Sequence, residues 1–75
     1  MGVYDFMLPV KSRLLDEVGY HEGDLYVRYS DGKFFVYEKV PNNLYTGLMM
    51  ADSEIDYLTN FIDGKYNCKQ LNRPL

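Results

Sequence analysis

A β-hairpin signal constrains this fold more than any other feature: two alternating runs of apolar and polar residues flank Asp31-Gly32. A two-residue turn would pair Tyr29 with Phe34, whereas a three-residue loop with a left-handed Gly32 would pair Tyr29 with Lys33. We favour the three-residue loop, because it collects the apolar side chains of both strands on one face.

This register divides the hairpin side chains between two faces. The first face is a coherent core set: Leu25, Val27, Tyr29, Phe35 and Tyr37. The second face carries Tyr26, Arg28, Phe34, Val36 and Glu38. It is too apolar for simple exposure to solvent, so we expect one domain to leave it uncovered for a partner. Bases stack on aromatic rings and Arg28 can reach a phosphate, but subunit interfaces favour the same residue types.

Further strands are predicted before the hairpin. Residues 14–20 are a strand candidate, with Leu14, Val18 and Tyr20 among the even positions and Asp16 breaking the pattern. Residues 1–10 form a mostly apolar extension, in which Pro9 is compatible only with an edge strand.

Two helices are predicted after the strands. The first begins at Pro41 and ends at Asp52, and the second has Ser53 as its N-cap and Gly64 as its stop. The apolar positions at helical spacing are Leu44, Leu48, Ala51, Ile55, Leu58 and Ile62. We therefore predict an α+β domain: a three-stranded antiparallel β-meander followed by two α-helices packed on one face, with an extra N-terminal edge strand as an option.

The length of 75 residues predicts one domain over 1–75, with residues 1–10 as an N-terminal extension and residues 65–75 as a C-terminal tail. Domains of this size often need stabilisation beyond their core. Cys68 and His21 are the only residues of their types, which excludes an intrachain disulfide and a Cys/His zinc cluster. We therefore expect a homo-oligomer without metal or other cofactor.

A cytoplasmic location is expected, because one unpaired cysteine suits a reducing compartment. The first residues have no basic segment followed by an apolar one, so they do not predict a signal peptide. No apolar run is long enough to span a bilayer, and we expect no membrane partner.

An ordered set of residues carries a family resemblance: Ser12, Val18, Gly19, Tyr20, Leu25, Val27, Tyr29, Gly32, Phe35, Tyr37, Val40, Pro41, Tyr45, Ala51, Ser53, Ile62 and Tyr66. Through these residues the chain resembles, over roughly residues 10–68, the KTSC domain. This small domain is named for the C-termini of some lysyl-tRNA synthetases and also occurs alone in bacterial and phage proteins. The chain departs from the family pattern at Ile55, where Gly is usual, and at Asp63, where Arg is frequent. RNA binding has been suggested for the family, and the resemblance to single-domain phage members implies a protein suited to holding a small nucleotide.

Lys11, Ser12 and Arg13 form a second candidate site, because two cations around a hydroxyl can hold a phosphate. Ser53 adds the free N–H groups of a helix start, although Glu54 in the same turn would repel a phosphate. Solvated charge and ordinary helix capping are the alternatives.

Two further features have structural alternatives. Tyr45 stands at an aromatic position of the family and is either a ligand contact or a core residue with its hydroxyl at the edge. Lys65, Lys69 and Arg73 recur every four residues, which predicts a basic strip on one side of a helix. Charge complementing the end of the second helix is the other interpretation.

The function predicted from these features is non-catalytic. The sequence has no nucleophile motif, metal-ligand set or phosphate loop, so we predict no catalytic residues. The net charge of −3 conflicts with general RNA binding, which needs a positive groove. We predict a small nucleotide-binding protein that sequesters a cyclic oligonucleotide second messenger such as a cyclic dinucleotide, acting as a phage anti-defence sponge. The alternatives are an RNA-binding module and a protein–protein interaction or oligomerisation domain.

Overall fold

A single antiparallel sheet with helices on one face forms the fold in a computed structural model, which describes residues 6–10 and 12–71. The strands lie side by side in chain order: β1 (Leu8–Pro9), β2 (Leu15–His21), β3 (Asp24–Tyr29), β4 (Phe34–Tyr37) and β5 (Cys68–Leu71). Between β4 and β5 come the helices: α1 (Asn42–Met50) and α2 (Glu54–Tyr57), which continues as a π-helical turn, Leu58–Ile62. The predicted α+β class is confirmed. The sheet has five strands, whereas the prediction was three strands with an optional N-terminal edge strand.

The central hairpin has the predicted three-residue loop. The Tyr29 N–H donates to the Lys33 carbonyl over 2.8 Å, and Gly32 has a φ of 95°. Val27 lies opposite Phe35, as the favoured register requires. The three-residue loop therefore sets which side chains of β3 and β4 share a face, as predicted.

A β-bulge shifts the alternation of β2. The register steps between Leu15 and Glu17, so Asp16 is the extra residue. Leu15 is consequently 1% exposed, whereas Leu14, which simple alternation groups with Val18 and Tyr20, is 55% exposed. The grouping of Leu14 with Val18 and Tyr20 is therefore wrong, because the bulge exchanges the two faces of the strand before Asp16.

The C-terminal tail forms a strand rather than a helix. The second helix stops before Gly64, whose φ is 83°, and the chain then runs back to pair antiparallel with β4. The predicted helical strip of Lys65, Lys69 and Arg73 is therefore wrong. The Lys69 ammonium lies 3.1 Å from a Glu38 carboxylate oxygen, while Arg73 lies outside the described residues.

The core lies between the sheet and the helices. It is formed by Leu15, Val18, Leu25, Val27, Tyr37, Val40, Leu48, Leu58 and Ile62. Ser53 caps α2 as predicted, since its hydroxyl oxygen accepts a hydrogen bond from the Asp56 N–H at 3.3 Å. None of the helices in the described ranges has the length and apolar character needed to cross a membrane.

Candidate ligand-binding cleft

The outer face of the sheet, opposite the helices, is covered within the chain itself. Phe34 and Val36 are only 2% and 6% exposed. The Tyr26 ring lies 6.2 Å from that of Phe34 and 5.0 Å from that of Phe6, between ring centroids. The expectation that one domain leaves this face uncovered is wrong, so a base cannot stack on Phe34 without displacing other residues.

Arg28, the predicted phosphate ligand on the same face, has its charge compensated. Its guanidinium donates to the Glu17 carboxylate, and both side chains are partly buried. Glu17 lies opposite Arg28 in the strand pairing, because the bulge turns it to this face. Ligand binding by Arg28 would therefore require breaking an ion pair.

The N-terminal segment packs closely over the outer face because Gly19 has no side chain. A Cβ at Gly19 would lie 2.6 Å from the Met7 sulfur and 2.7 Å from a Phe6 ring carbon. The Phe6 ring is stacked on that of His21, with 4.8 Å between centroids. Gly19 therefore allows residues 6 and 7 to cover the aromatic side chains.

Gly19→Ala should displace the N-terminal segment. We expect a loss of about 1–3 kcal/mol in the free energy of unfolding, as for other overpacked sites. Hydrogen exchange should be faster at the Val10 amide, which donates to the Asp16 carbonyl over 3.1 Å. On a Phe6→Ala, Met7→Ala background the same change should cost much less, and equal costs on both backgrounds would contradict the close packing.

A cleft of about 460 Å³ lies between the segment that precedes β2 and the junction of the two helices. Its lining comprises Ser12, Arg13, Leu14, Asp52, Ser53, Glu54 and Ile55. Three predicted site residues, Ser12, Arg13 and Ser53, thus meet here from distant parts of the sequence. The volume falls within the range of about 300–1,000 Å³ that is usual for small-molecule sites.

Local hydrogen bonds hold both walls of the cleft. The Ser12 hydroxyl oxygen accepts from the Leu14 N–H at 3.3 Å, and the Ser30 hydroxyl donates to the Arg13 carbonyl at 3.1 Å. On the other wall, the Ser53 hydroxyl oxygen caps α2. Because a hydroxyl can donate while it accepts, Ser12 and Ser53 keep a donor for a ligand.

The charges of the cleft lining are not paired with one another. The ion pairs found among the described residues are His21–Glu22, Arg28–Glu17 and Lys69–Glu38. In that part of the chain, the Arg13 guanidinium and the Asp52 and Glu54 carboxylates have no hydrogen-bond or ion-pair partner. One residue with a cationic side chain and two with anionic side chains therefore line the same cleft.

The other predicted site residues do not line the cleft. Tyr45 stacks on Tyr20, with 5.1 Å between ring centroids, and the Tyr20 hydroxyl donates to the Val40 carbonyl at 2.5 Å. Tyr45 thus packs against the core, and Lys11 lies outside the described residues. Sequence reasoning missed Ile55, although it is a position where this chain departs from the family pattern.

A cluster of polar side chains lies beside β5, on the face of the sheet that the helices cover. The Tyr37 hydroxyl donates to the Asp63 carboxylate at 3.1 Å. Burial raises the pKa of Tyr37 and of Tyr29 above the ordinary tyrosine value, and burial also raises the pKa of the Cys68 thiol. The shifts make these groups harder to ionise at alkaline pH, and Asp63 has a structural contact at the position where the family often has Arg.

No metal site is formed by residues 6–10 and 12–71, since no three His, Cys, Asp or Glu side chains converge suitably there.

Residues 11–66 match the family model of the KTSC domain, which includes both walls of the cleft. The chain belongs to the KTSC domain family. It is also similar to the crystal structure of a KTSC domain protein from Yersinia pestis, at 25% sequence identity and a TM-score of 0.81. That match covers 87% of this chain and 94% of the other. No curated protein matches the chain.

Within this KTSC domain, strands β1 and β5 lie beyond the ends of the family match. The cover of the outer face by Phe6 and Met7 therefore comes from outside the matched residues, whereas the cleft lies inside them.

Proposed function

We propose that this KTSC domain is a non-catalytic protein that binds a small nucleotide and sequesters it. The proposed ligand is a cyclic oligonucleotide second messenger, and the proposed setting is the host cytoplasm, where a phage-encoded copy would act as an anti-defence sponge. The observation that carries the proposal is the cleft that brings together Ser12, Arg13 and Ser53.

The chemistry of the cleft supports a ligand with an anionic group and an apolar body. Arg13 is exposed and has no carboxylate partner among the described residues, so it is available to a phosphate. Leu14 and Ile55 provide apolar contacts for a base. Leu14 is 55% exposed without ligand, and a second copy packed over the cleft would enclose the bound molecule. We therefore include a homo-oligomer in the proposal.

RNA binding is less well supported. The net charge is −3, and Arg28 and Lys69 are both paired with carboxylates. A protein groove that follows the RNA backbone needs several unpaired cationic side chains, because its affinity comes from neutralising successive phosphates.

Arg13→Gln should weaken binding of a cyclic oligonucleotide about tenfold or more, since it removes a charge-assisted hydrogen bond. Calorimetry of the full chain against a panel of cyclic oligonucleotides, beside a short RNA, measures this. Lys33→Gln is the matched control: it removes the same charge from the exposed hairpin loop, outside the cleft lining, and should leave the affinity unchanged.

Recovery of the ligand intact after denaturation would support sequestration, whereas a cleaved ligand would contradict it. Affinity that grows with RNA length and collapses with added salt would favour the RNA module. Absence of binding to every nucleotide would leave a protein–protein interaction domain.

A further inference from the structure

The cleft holds opposite charges that do not neutralise one another. Arg13 on one wall and Glu54 on the other both line the cleft of about 460 Å³. No ion pair joins them among the described residues. Glu54 is partly buried, and its carboxylate accepts no hydrogen bond in that part of the chain. A carboxylate in this position favours a ligand that brings its own N–H donors.

We infer that the base bound in this cleft is guanine. The inference rests on the proposed function and specifies the class of nucleotide. The Watson–Crick edge of guanine carries two adjacent donors, the N1–H and the N2 amino group, which can donate together to one carboxylate. The same edge of adenine carries one amino donor beside the N1 lone pair, and a carboxylate repels that lone pair. Glu54 and Asp52 therefore select against adenine.

The charge of the cleft agrees with this assignment. Its described lining has one cation, Arg13, and two carboxylates, so it tolerates few phosphates. A guanine nucleotide placed with its phosphate toward Arg13 and its donor edge toward Glu54 gives these two groups a partner each. Leu14 and Ile55 then contact the faces of the base.

Calorimetry of the full chain with cyclic di-GMP and cyclic di-AMP tests the inference. The guanine ligand should bind about tenfold more tightly, which is typical of one bidentate base contact. In the Asp52→Asn, Glu54→Gln variant the preference should fall to about one, because an amide offers both a donor and an acceptor and pairs with either base. The adenine ligand should bind this variant no more weakly than the unaltered protein.

Asp56→Asn is the matched control, since it removes an exposed carboxylate from the same helical turn without touching the cleft lining. It should keep the tenfold preference. Equal affinities for the two ligands in the unaltered protein, or a preference that survives in the Asp52→Asn, Glu54→Gln variant, would overturn guanine recognition while leaving nucleotide binding intact. Failure of all cyclic nucleotides to bind would refute the proposed function as well.

Discussion

Leu15→Ala should lower the free energy of unfolding by about 2–5 kcal/mol, whereas Leu14→Ala should change it by no more than about 0.5 kcal/mol. The two leucines are neighbours in sequence, but the bulge at Asp16 buries Leu15 and exposes Leu14. A chain of 75 residues has a total stability of roughly 4–11 kcal/mol, so the first substitution removes a large part of it.

Urea unfolding of both variants, followed by far-ultraviolet circular dichroism, measures this difference. The substitutions are chemically identical, so each variant is the control for the other. Simple alternation in β2 predicts the opposite order, and a larger loss for Leu14→Ala would refute the bulge. Leu14→Ala should also weaken the binding of any ligand that occupies the cleft.

Alkaline conditions should destabilise the protein through Tyr37. Its pKa is raised in the folded state, mainly by burial and further by Tyr29, Cys68 and Asp63. The stabilising effect of the neutral hydroxyl is therefore complete below the unfolded pKa of about 10 and is lost as the pH rises toward the folded pKa. Above pH 10, we expect a loss of about 1.4 kcal/mol per pH unit from this group alone.

Tyr37→Phe isolates this contribution. At pH 7 the variant should be less stable by about 1–2 kcal/mol, since Asp63 loses its hydrogen bond. Its unfolding free energy should then fall less steeply with pH than that of the unaltered protein between about pH 10 and 12. Parallel curves for the two proteins would show that Tyr37 does not control the alkaline transition. Tyr29, whose pKa is also raised by burial, accounts for part of the slope that remains.

The parts of the fold that were predictable depend on local chemistry. Asp31-Gly32 marks the turn but fits two loop lengths, and the grouping of apolar side chains on one face selected the register that pairs Val27 with Phe35. Ser53 was recognisable as a cap because its hydroxyl satisfies an amide of its own helix. Asp16 was recognised as a break in the alternation of β2, but the break was not interpreted as a bulge, so the burial of Leu15 was not predicted.

The β5 strand was missed for a related reason. Cys68–Leu71 is short and mostly exposed, so it has no alternation of apolar and polar residues to detect. Its conformation follows from the free edge that β4 offers, which is a tertiary effect. The four-residue spacing of Lys65, Lys69 and Arg73 would place them on one side only in a continuous helix. Gly64, with its positive φ, ends the helix before them.

The candidate site was predictable in part. Ser12, Arg13 and Ser53 were chosen from residue type, and all three line the cleft. Phe34 is buried because the outer face of the sheet is covered within the chain. Phe6 and Met7 can pack over this face because Gly19 has no side chain. No local sequence pattern reveals this long-range contact. Glu54 was treated only as repulsive to phosphate and Asp52 only as the end of the first helix, because their place beside Arg13 in one cleft is a property of the folded chain.

The place of β5 in the sheet also bears on how the molecule assembles. Strands β2, β3 and β4 are joined by tight turns, and such pairings close small loops at little entropic cost. β5 reaches β4 only after the chain has passed through both helices, so this pairing closes a much longer loop. We expect the three central strands to pair early in folding and β5 to pair with β4 last.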